Sequence, residues 1–308
     1  MKADENSIIL HQYAISTFSE KVRVLLGIKG LTWFACDQPV IMPKPNLTPL
    51  TGGYRKIPVM QIGADIYCDT RAIFHELERR FPSTERNLGL GLGLTLSFWA
   101  DRTLFPQIVT IVFGAGVFPA DDAFIKDRGT LIGQPFDPLA MTAAVPQALT
   151  QLRAHLNGLE RLLADGGPFL AGERPSLADA AVFHNFNFLR LGFLHGHPLM
   201  QTFPKLGAWE ERVRAIGHGR RAEIGCDQAL DIARDAQSVE SISRDPDDPM
   251  GFEPGDSVRV AADDYGKDQV VGELISSSAD HVALRRRHER VGDVVVHFPR
   301  AGFVVDRL

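Results

Sequence analysis

Two periods of apolar and polar positions organise the first eighty residues. Ile8-Ile9-Leu10-His11 is a short, continuous apolar run, the pattern of a strand buried on both faces. From Ser19 to Gly30 the positions Val22, Leu25 and Leu26 recur on one helical face, and Gly30 supplies the stop. Trp33-Phe34-Ala35-Cys36 predicts a second strand, after which prolines break the chain from Pro39 to Pro49. Val59 to Ile62 and Ile66-Tyr67 predict a hairpin about Gly63-Ala64-Asp65, and Thr70 to Phe81 a closing helix.

Beyond about Pro82 the pattern changes. Pro82 to Leu94 carries Gly89, Gly91 and Gly93 and reads as a linker, and strand signals vanish for the next stretch of about 140 residues. Helical periodicity predicts six helices there: Leu96–Val112, Asp121–Ile132, Leu139–Leu163, Leu177–Leu191, Lys205–Ile216 and Cys226–Ala236. Ser176 and Asp179 have the spacing of a capping box, which nucleates a helix without implying chemistry. Ser241 to Pro249 is polar and proline-punctuated. After it the period becomes two, with five short strands at Ser257–Val260, Val270–Ile275, His281–Leu284, Val294–Val296 and Phe303–Val305. These patterns divide the chain into an α/β thioredoxin-like domain over residues 6–84 and an all-α helical bundle domain over 92–238. A linker follows over 239–252, then a small all-β, barrel-like domain over 253–308.

Composition narrows the function classes. The 308 residues carry a formal charge of −5, which gives no electrostatic case for nucleic acid or an anionic membrane. The longest apolar stretch, Ile108 to Val117, is too short to span a bilayer. Cys36, Cys68 and Cys226 are odd in number and dispersed, arguing for a reducing, cytoplasmic setting over a disulfide framework or zinc site. No metal is expected: His184, His195 and His197 bring no second ligand pattern. Arg285-Arg286-Arg287-His288 reads as a solvated strand face, and Phe183, Phe186 and Phe188 as core more than pocket.

The candidate chemistry concentrates between Arg55 and Ile73. Pro58 opens what reads as an edge strand, where its missing N–H is tolerated and a cis bond is accessible. A cis Ile57-Pro58 bond turns the Ile57 backbone outward toward a peptide-like ligand. Asp69-Thr70 starts the next helix, whose free amides suit a carboxylate.

These features, taken in order, resemble a cytosolic glutathione transferase. The matching segments are Ser16-Thr17-Phe18-Ser19-Glu20-Lys21-Val22-Arg23-Val24, Lys29-Gly30-Leu31, Lys56-Ile57-Pro58 and Asp69-Thr70-Arg71-Ala72-Ile73. Phe169 to Asp179 and Phe203-Pro204-Lys205-Leu206 with Trp209 add two more, so the resemblance spans roughly Ile8 to Ala236 and omits the last segment. It implies glutathione as cosubstrate, a small hydrophobic electrophile as second substrate, and a homodimer. It also implies site roles. Ser16 would hold the thiol as thiolate, with Tyr13 the alternative donor. Ile57 would pair its backbone with the cysteinyl part, Asp69 and Thr70 would hold the γ-glutamyl end, Lys44 and Lys56 the glycyl carboxylate, and Phe18 and Pro58 would line the glutathione site. Asp69 stands where the family more often has glutamate or glutamine. Lowering a thiol pKa of about 8.5 by about two units takes roughly 2.7 kcal/mol, within reach of one strong donor plus a helix N-terminus. Phe98 and Phe105 are placed by the resemblance near an apolar electrophile. Three functions follow: a transferase, a glutathione-dependent lyase, dehalogenase or isomerase using the same thiolate, and a non-catalytic binding module of the same fold.

Overall fold

The computed structural model describes residues 2–82, 90–118, 120–193 and 198–308. Its first unit runs β1 (Ile9–Gln12), α1 (Thr17–Ile28), β2 (Thr32–Asp37), α2 (Thr48–Thr51), β3 (Val59–Ile62), β4 (Asp65–Cys68) and α3 (Thr70–Arg80). β1 pairs with β2 in parallel and with β3 antiparallel, and β3 turns back into β4 through Gly63 at φ 58°. This is the predicted thioredoxin-like order. One expectation is corrected. β3 is not an edge strand but lies between β1 and β4. Pro58 is accommodated there because it precedes Val59, the first paired residue, so no ladder bond is lost.

The helical unit comprises α4 (Leu90–Trp99), a π-helical turn (Ala100–Leu104), α5 (Phe105–Gly114), α6 (Asp122–Ile132), α7 (Pro138–Gly166), α8 (Leu177–Gly192) and α9 (Pro204–Ile216). The predicted first helix is therefore longer than Leu96–Val112 and interrupted. Pro106 explains the interruption: it has no N–H for the carbonyl four residues back, and its ring crowds that carbonyl. Part of the expected glycine linker is helix. Gly93 faces Leu177 across α4 and α8, where any added Cβ would collide with the leucine side chain. Gly89, His195 and His197 lie outside the described residues. The capping box forms, with Asp179 accepting from the Ser176 N–H at 2.8 Å, and it reaches further. Asp179 also accepts from the Leu170 N–H and the Trp209 indole, at 2.9 and 2.7 Å, tying α8 to α9 and the loop before it. Phe183 and Phe186 pack on Trp209 as core.

Two further expectations change after α9. A strand, β5 (Arg220–Glu223), pairs in parallel with β2, and α10 (Cys226–Asp235) lies on the sheet through Ala229, Leu230 and Ala233. The chain thus leaves the helical unit well before residue 238. β5 escaped detection because Arg-Arg-Ala-Glu is a polar, exposed edge with no apolar alternation. α10 also brings Cys226 to Cys36, Sγ to Sγ 3.1 Å, so these two thiols are neighbours although 190 residues apart.

All five predicted C-terminal strands form, as β6 (Ser257–Ala262), β7 (Val270–Ser277), β8 (His281–His288), β9 (Gly292–Pro299) and β10 (Phe303–Arg307). They pair antiparallel among themselves, β10 closing on β6. β9 additionally pairs in parallel with β4, matching Ile66 with Val296, and one ten-stranded sheet results. Leu47, Leu50, Tyr54, Val59 and Ile66 share a buried cluster with Val258, Leu274, Leu284 and Phe298. The last segment is therefore built onto the first unit. Among the described residues no helix is long and apolar enough to cross a membrane.

Candidate functional site

The main cleft, about 640 Å³, opens where the β1–α1 junction, the Pro58 turn and the start of α3 face α4 to α6. Its sides combine backbone groups of the first unit with aromatic side chains of the second.

At the β1–α1 junction Ser16 caps α1. Its Oγ accepts from the Ser19 N–H at 3.1 Å and from the Ser19 hydroxyl at 2.9 Å, which leaves the Ser16 proton free to be donated into the cleft. Tyr13 also borders the cleft and turns back to Ser16 through a 3.0 Å backbone bond. Phe18 packs its ring 4.8 Å from Phe105 and 5.3 Å from His184, so it joins the two units.

The Ile57-Pro58 bond is cis, and neither backbone polar group of Ile57 is hydrogen-bonded among the described residues. Across from it, Asp69 adopts φ 77°, ψ 143°, a region that costs a non-glycine residue of order 1–3 kcal/mol. Its carboxylate caps α3 at the Arg71 N–H (2.9 Å) and also binds Arg71 Nε (3.1 Å). Burial raises its pKa, but the Arg71 charge and hydrogen bonds outweigh burial and hold the carboxyl below its usual range. Arg71 lies 4.2 Å over the Phe98 ring, and its buried Nη1 has no hydrogen-bond partner among the described residues.

Lys21, present in the sequence motif but given no role there, is fully buried beneath this floor. Nζ donates to both oxygens of Asp101 (2.9 and 2.7 Å), to Ser97 (2.6 Å) and to Thr70 (3.2 Å). Asp101 sits on the π-helical turn, a distortion that recurs at functional sites. Burial raises the Asp101 pKa, yet the Lys21 charge and the His184 hydrogen bond bring it down to about 2. One lysine thus locks α1, α3 and the helical unit together under Asp69-Thr70.

The two candidate glycyl-end lysines differ. Lys44 is buried, donates to the Pro39 carbonyl, and has its pKa lowered to about 8, first by burial and then by Arg128. Lys56 reaches the cleft but is engaged by Asp264 at 3.0 Å and lies 4.4 Å from the Tyr265 ring centroid. Asp264 and Tyr265 belong to the β6–β7 loop of the last segment, which borders the cleft. That loop is pinned by the Arg102–Asp263 pair and by a 2.7 Å bond from the Gly266 N–H to Leu131. Gly266 is needed there: its φ is 60°, and a Cβ would press on Leu131 and Lys56. Sequence reasoning gave this loop no part in the site, because nothing local marks a turn that will meet residues two hundred positions earlier.

The opposite wall is aromatic. Phe105, Phe113, Phe118, Phe124, Phe136 and Phe188 form successive edge-to-face and stacked pairs along it. Phe188 is buried in the core, as expected, and its ring also borders the cleft. Arg128 covers Phe124, and Arg55 pairs with Asp127 at the rim.

Residues 10–85 match the family described as Glutathione S-transferase, N-terminal domain, and residues 142–212 match Glutathione S-transferase, C-terminal domain. A GST-like protein from Pseudomonas syringae is similar at 37% identity over 98% of this chain and 100% of that one, TM-score 0.81. Glutathione transferase F7 from Populus trichocarpa shares 18% identity over 68% and 93%, TM-score 0.50. The beta-etherase LigF from Sphingobium sp. strain SYK-6 shares 18% over 68% and 95%, TM-score 0.51. A search of curated proteins returned no match.

Proposed function

The chain belongs to the glutathione S-transferase family and is a glutathione transferase-like enzyme, and on that premise we propose that it activates the thiol of glutathione beside Ser16 for attack on a small hydrophobic electrophile. The observation that carries this reading is one cleft holding a serine hydroxyl with an uncommitted proton, an unpaired Ile57 backbone and the Asp69-Thr70 helix start.

In this reading the cysteinyl amide of glutathione pairs with Ile57 next to Pro58, with Phe18 alongside. The γ-glutamyl carboxylate sits at the α3 amides with Thr70, and the amine turns to Asp69. Lys56 takes the glycyl carboxylate, with Lys44 behind it. The Ser16 proton then points at the sulfur, and a hydrogen bond to the anion favours thiolate over thiol. Tyr13 is the alternative donor. The electrophile lies against Phe105 and Phe188, where an apolar group loses no hydrogen bond on leaving water. The β6–β7 loop gives the last segment a role: Asp264 and Tyr265 hold Lys56 at the rim and narrow the entrance. That enclosure, with six phenylalanines behind it, also favours a second reading, a dedicated glutathione-dependent lyase, dehalogenase or isomerase using the same thiolate.

The setting we propose is the cytoplasm, in keeping with three free thiols, and the assembly a homodimer. Calorimetric titration with glutathione is expected to show one site per chain. A folded chain that gives no heat at millimolar glutathione overturns both enzymatic readings. Light scattering that returns the mass of one chain overturns the dimer.

A further inference from the structure

A second constellation lies outside the cleft, where β4, β8 and β9 meet the segment following α10. His281 on β8 and His297 on β9 are diagonal neighbours: His281 is opposite Pro299, and His297 is opposite Ala283. Both imidazoles therefore stand on one face of the sheet, their ring centroids 6.4 Å apart. Glu240 reaches the same point from the segment after α10, with Oε1 3.3 Å from His281 Nε2. A carboxylate oxygen and one nitrogen from each ring all lie within 4.8 Å of one another. We propose that Glu240, His281 and His297 bind a divalent first-row transition-metal ion, of which Zn2+ is the simplest case.

The donor set selects that class. Two imidazoles and one carboxylate suit Zn2+, Ni2+ or Co2+, whereas Mg2+ and Ca2+ take oxygen ligands. Tetrahedral ligands at ~2.0–2.1 Å from zinc are roughly 3.4 Å apart. Glu240 and His281 already stand at that separation, and the third donor closes the site with a movement of about 1 Å or a little more. The remaining tetrahedral position is left to water.

The surroundings orient the donors as metal sites do. Asp65, buried between the strands, accepts at Oδ1 from His297 Nε2 at 2.9 Å, which leaves Nδ1 as the nitrogen with a lone pair. The same aspartate accepts from the Ser238 hydroxyl (2.6 Å) and the Val239 N–H (3.0 Å), so it also sets the segment that carries Glu240. His281 has a hydroxyl beside each nitrogen, Ser276 at 3.2 Å from Nε2 and Ser278 at 3.0 Å from Nδ1. Ser278 Oγ already accepts from the Asp280 and His281 N–H groups, so binding a metal at Nε2 shifts the imidazole proton to Nδ1 and turns the Ser278 hydroxyl proton away from it. Tyr67 stacks on His297, with ring centroids 4.4 Å apart. An ion pair between Glu240 and His281 has no need of a second imidazole; a metal uses all three groups. Such an ion would cross-link the segment after α10 to β8 and β9, and through Asp65 to β4.

The test is titration of the full-length chain with Zn2+ by calorimetry, and with Co2+ by visible absorption. The expected result is one ion per chain, a Co2+ spectrum without thiolate charge transfer, and binding weakened about tenfold or more in both His281→Ala and Glu240→Gln. Both side chains are partly exposed, so the variants are expected to fold, and circular dichroism checks that they do. A wild-type chain that takes up no Zn2+, or equal uptake by both folded variants, overturns the proposal. So does a thiolate band that survives His281→Ala and disappears in Cys226→Ser, since that puts the ion on Cys36 and Cys226.

Discussion

Replacing Ser16 with alanine separates two roles that the side chain combines. As a cap, Ser16 Oγ accepts two hydrogen bonds from Ser19, which is completely buried. Its loss leaves an N–H and an O–H without an acceptor away from water, which puts the stability cost at about 1–2 kcal/mol. As a donor to a bound thiolate, it contributes a charge-assisted hydrogen bond of about 1.5–3 kcal/mol. At about 1.4 kcal/mol per pKa unit, the bound thiol of Ser16→Ala should titrate about one to two units higher. The conjugation rate below that pKa should fall about ten- to hundredfold. Two assays are needed, urea denaturation for the cap and the pH dependence of thiolate absorbance in the glutathione complex for the donor. Ser16→Thr keeps the oxygen and should restore most of both effects. Loss of stability with an unchanged thiolate pKa refutes the donor role and leaves Ser16 a cap. A raised thiolate pKa in Tyr13→Phe alone then transfers the role to Tyr13.

Three other outcomes follow from the polar groups in and around the cleft and the sheet. Lys21→Met leaves Asp101 partly buried without its cation and should destabilise the protein by about 3–5 kcal/mol in urea; adding Asp101→Asn should recover part of this, and a loss under 1 kcal/mol contradicts the bridging role. Asp264→Asn frees Lys56 and should tighten glutathione about two- to fivefold, the scale of a partly exposed ion pair; weaker binding by calorimetry shows instead that Asp264 itself holds the ligand. His11 has its pKa lowered from the ordinary 6.5 to about 4, chiefly by burial, with the Gln61 hydrogen bond opposing. The unfolded chain therefore takes up this proton first as pH falls. Stability is complete above about pH 6.5 and declines by roughly 3 kcal/mol toward pH 4. His11→Asn should remove that part of the acid sensitivity, and parallel pH profiles of variant and parent contradict it.

Much of the first unit was legible because its signals are local. Apolar runs at β1, β2 and the β3–β4 hairpin and the Gly63 turn each declare themselves within a dozen residues, as the Ser176–Asp179 box does in the helical unit. The candidate glutathione contacts came from the family resemblance, carried by motifs at the ends of those elements. Lys21 was harder. A lysine on a predicted helix reads as solvated until packing shows what it faces.

The chain's own pattern sufficed for the kind of each long element, their order and the positions where backbone groups are left unpaired. Periodicity, caps and prolines act over one or two turns and need no distant partner. Only tertiary structure decided that β9 adds to β4, that β5 and α10 return to the sheet, and that the β6–β7 loop reaches Lys56. It alone brought Cys36 to Cys226, and Glu240 to His281 and His297. Sheet pairing and ion pairing between residues far apart in sequence depend on which surfaces meet once the core is buried, and no local propensity encodes that choice.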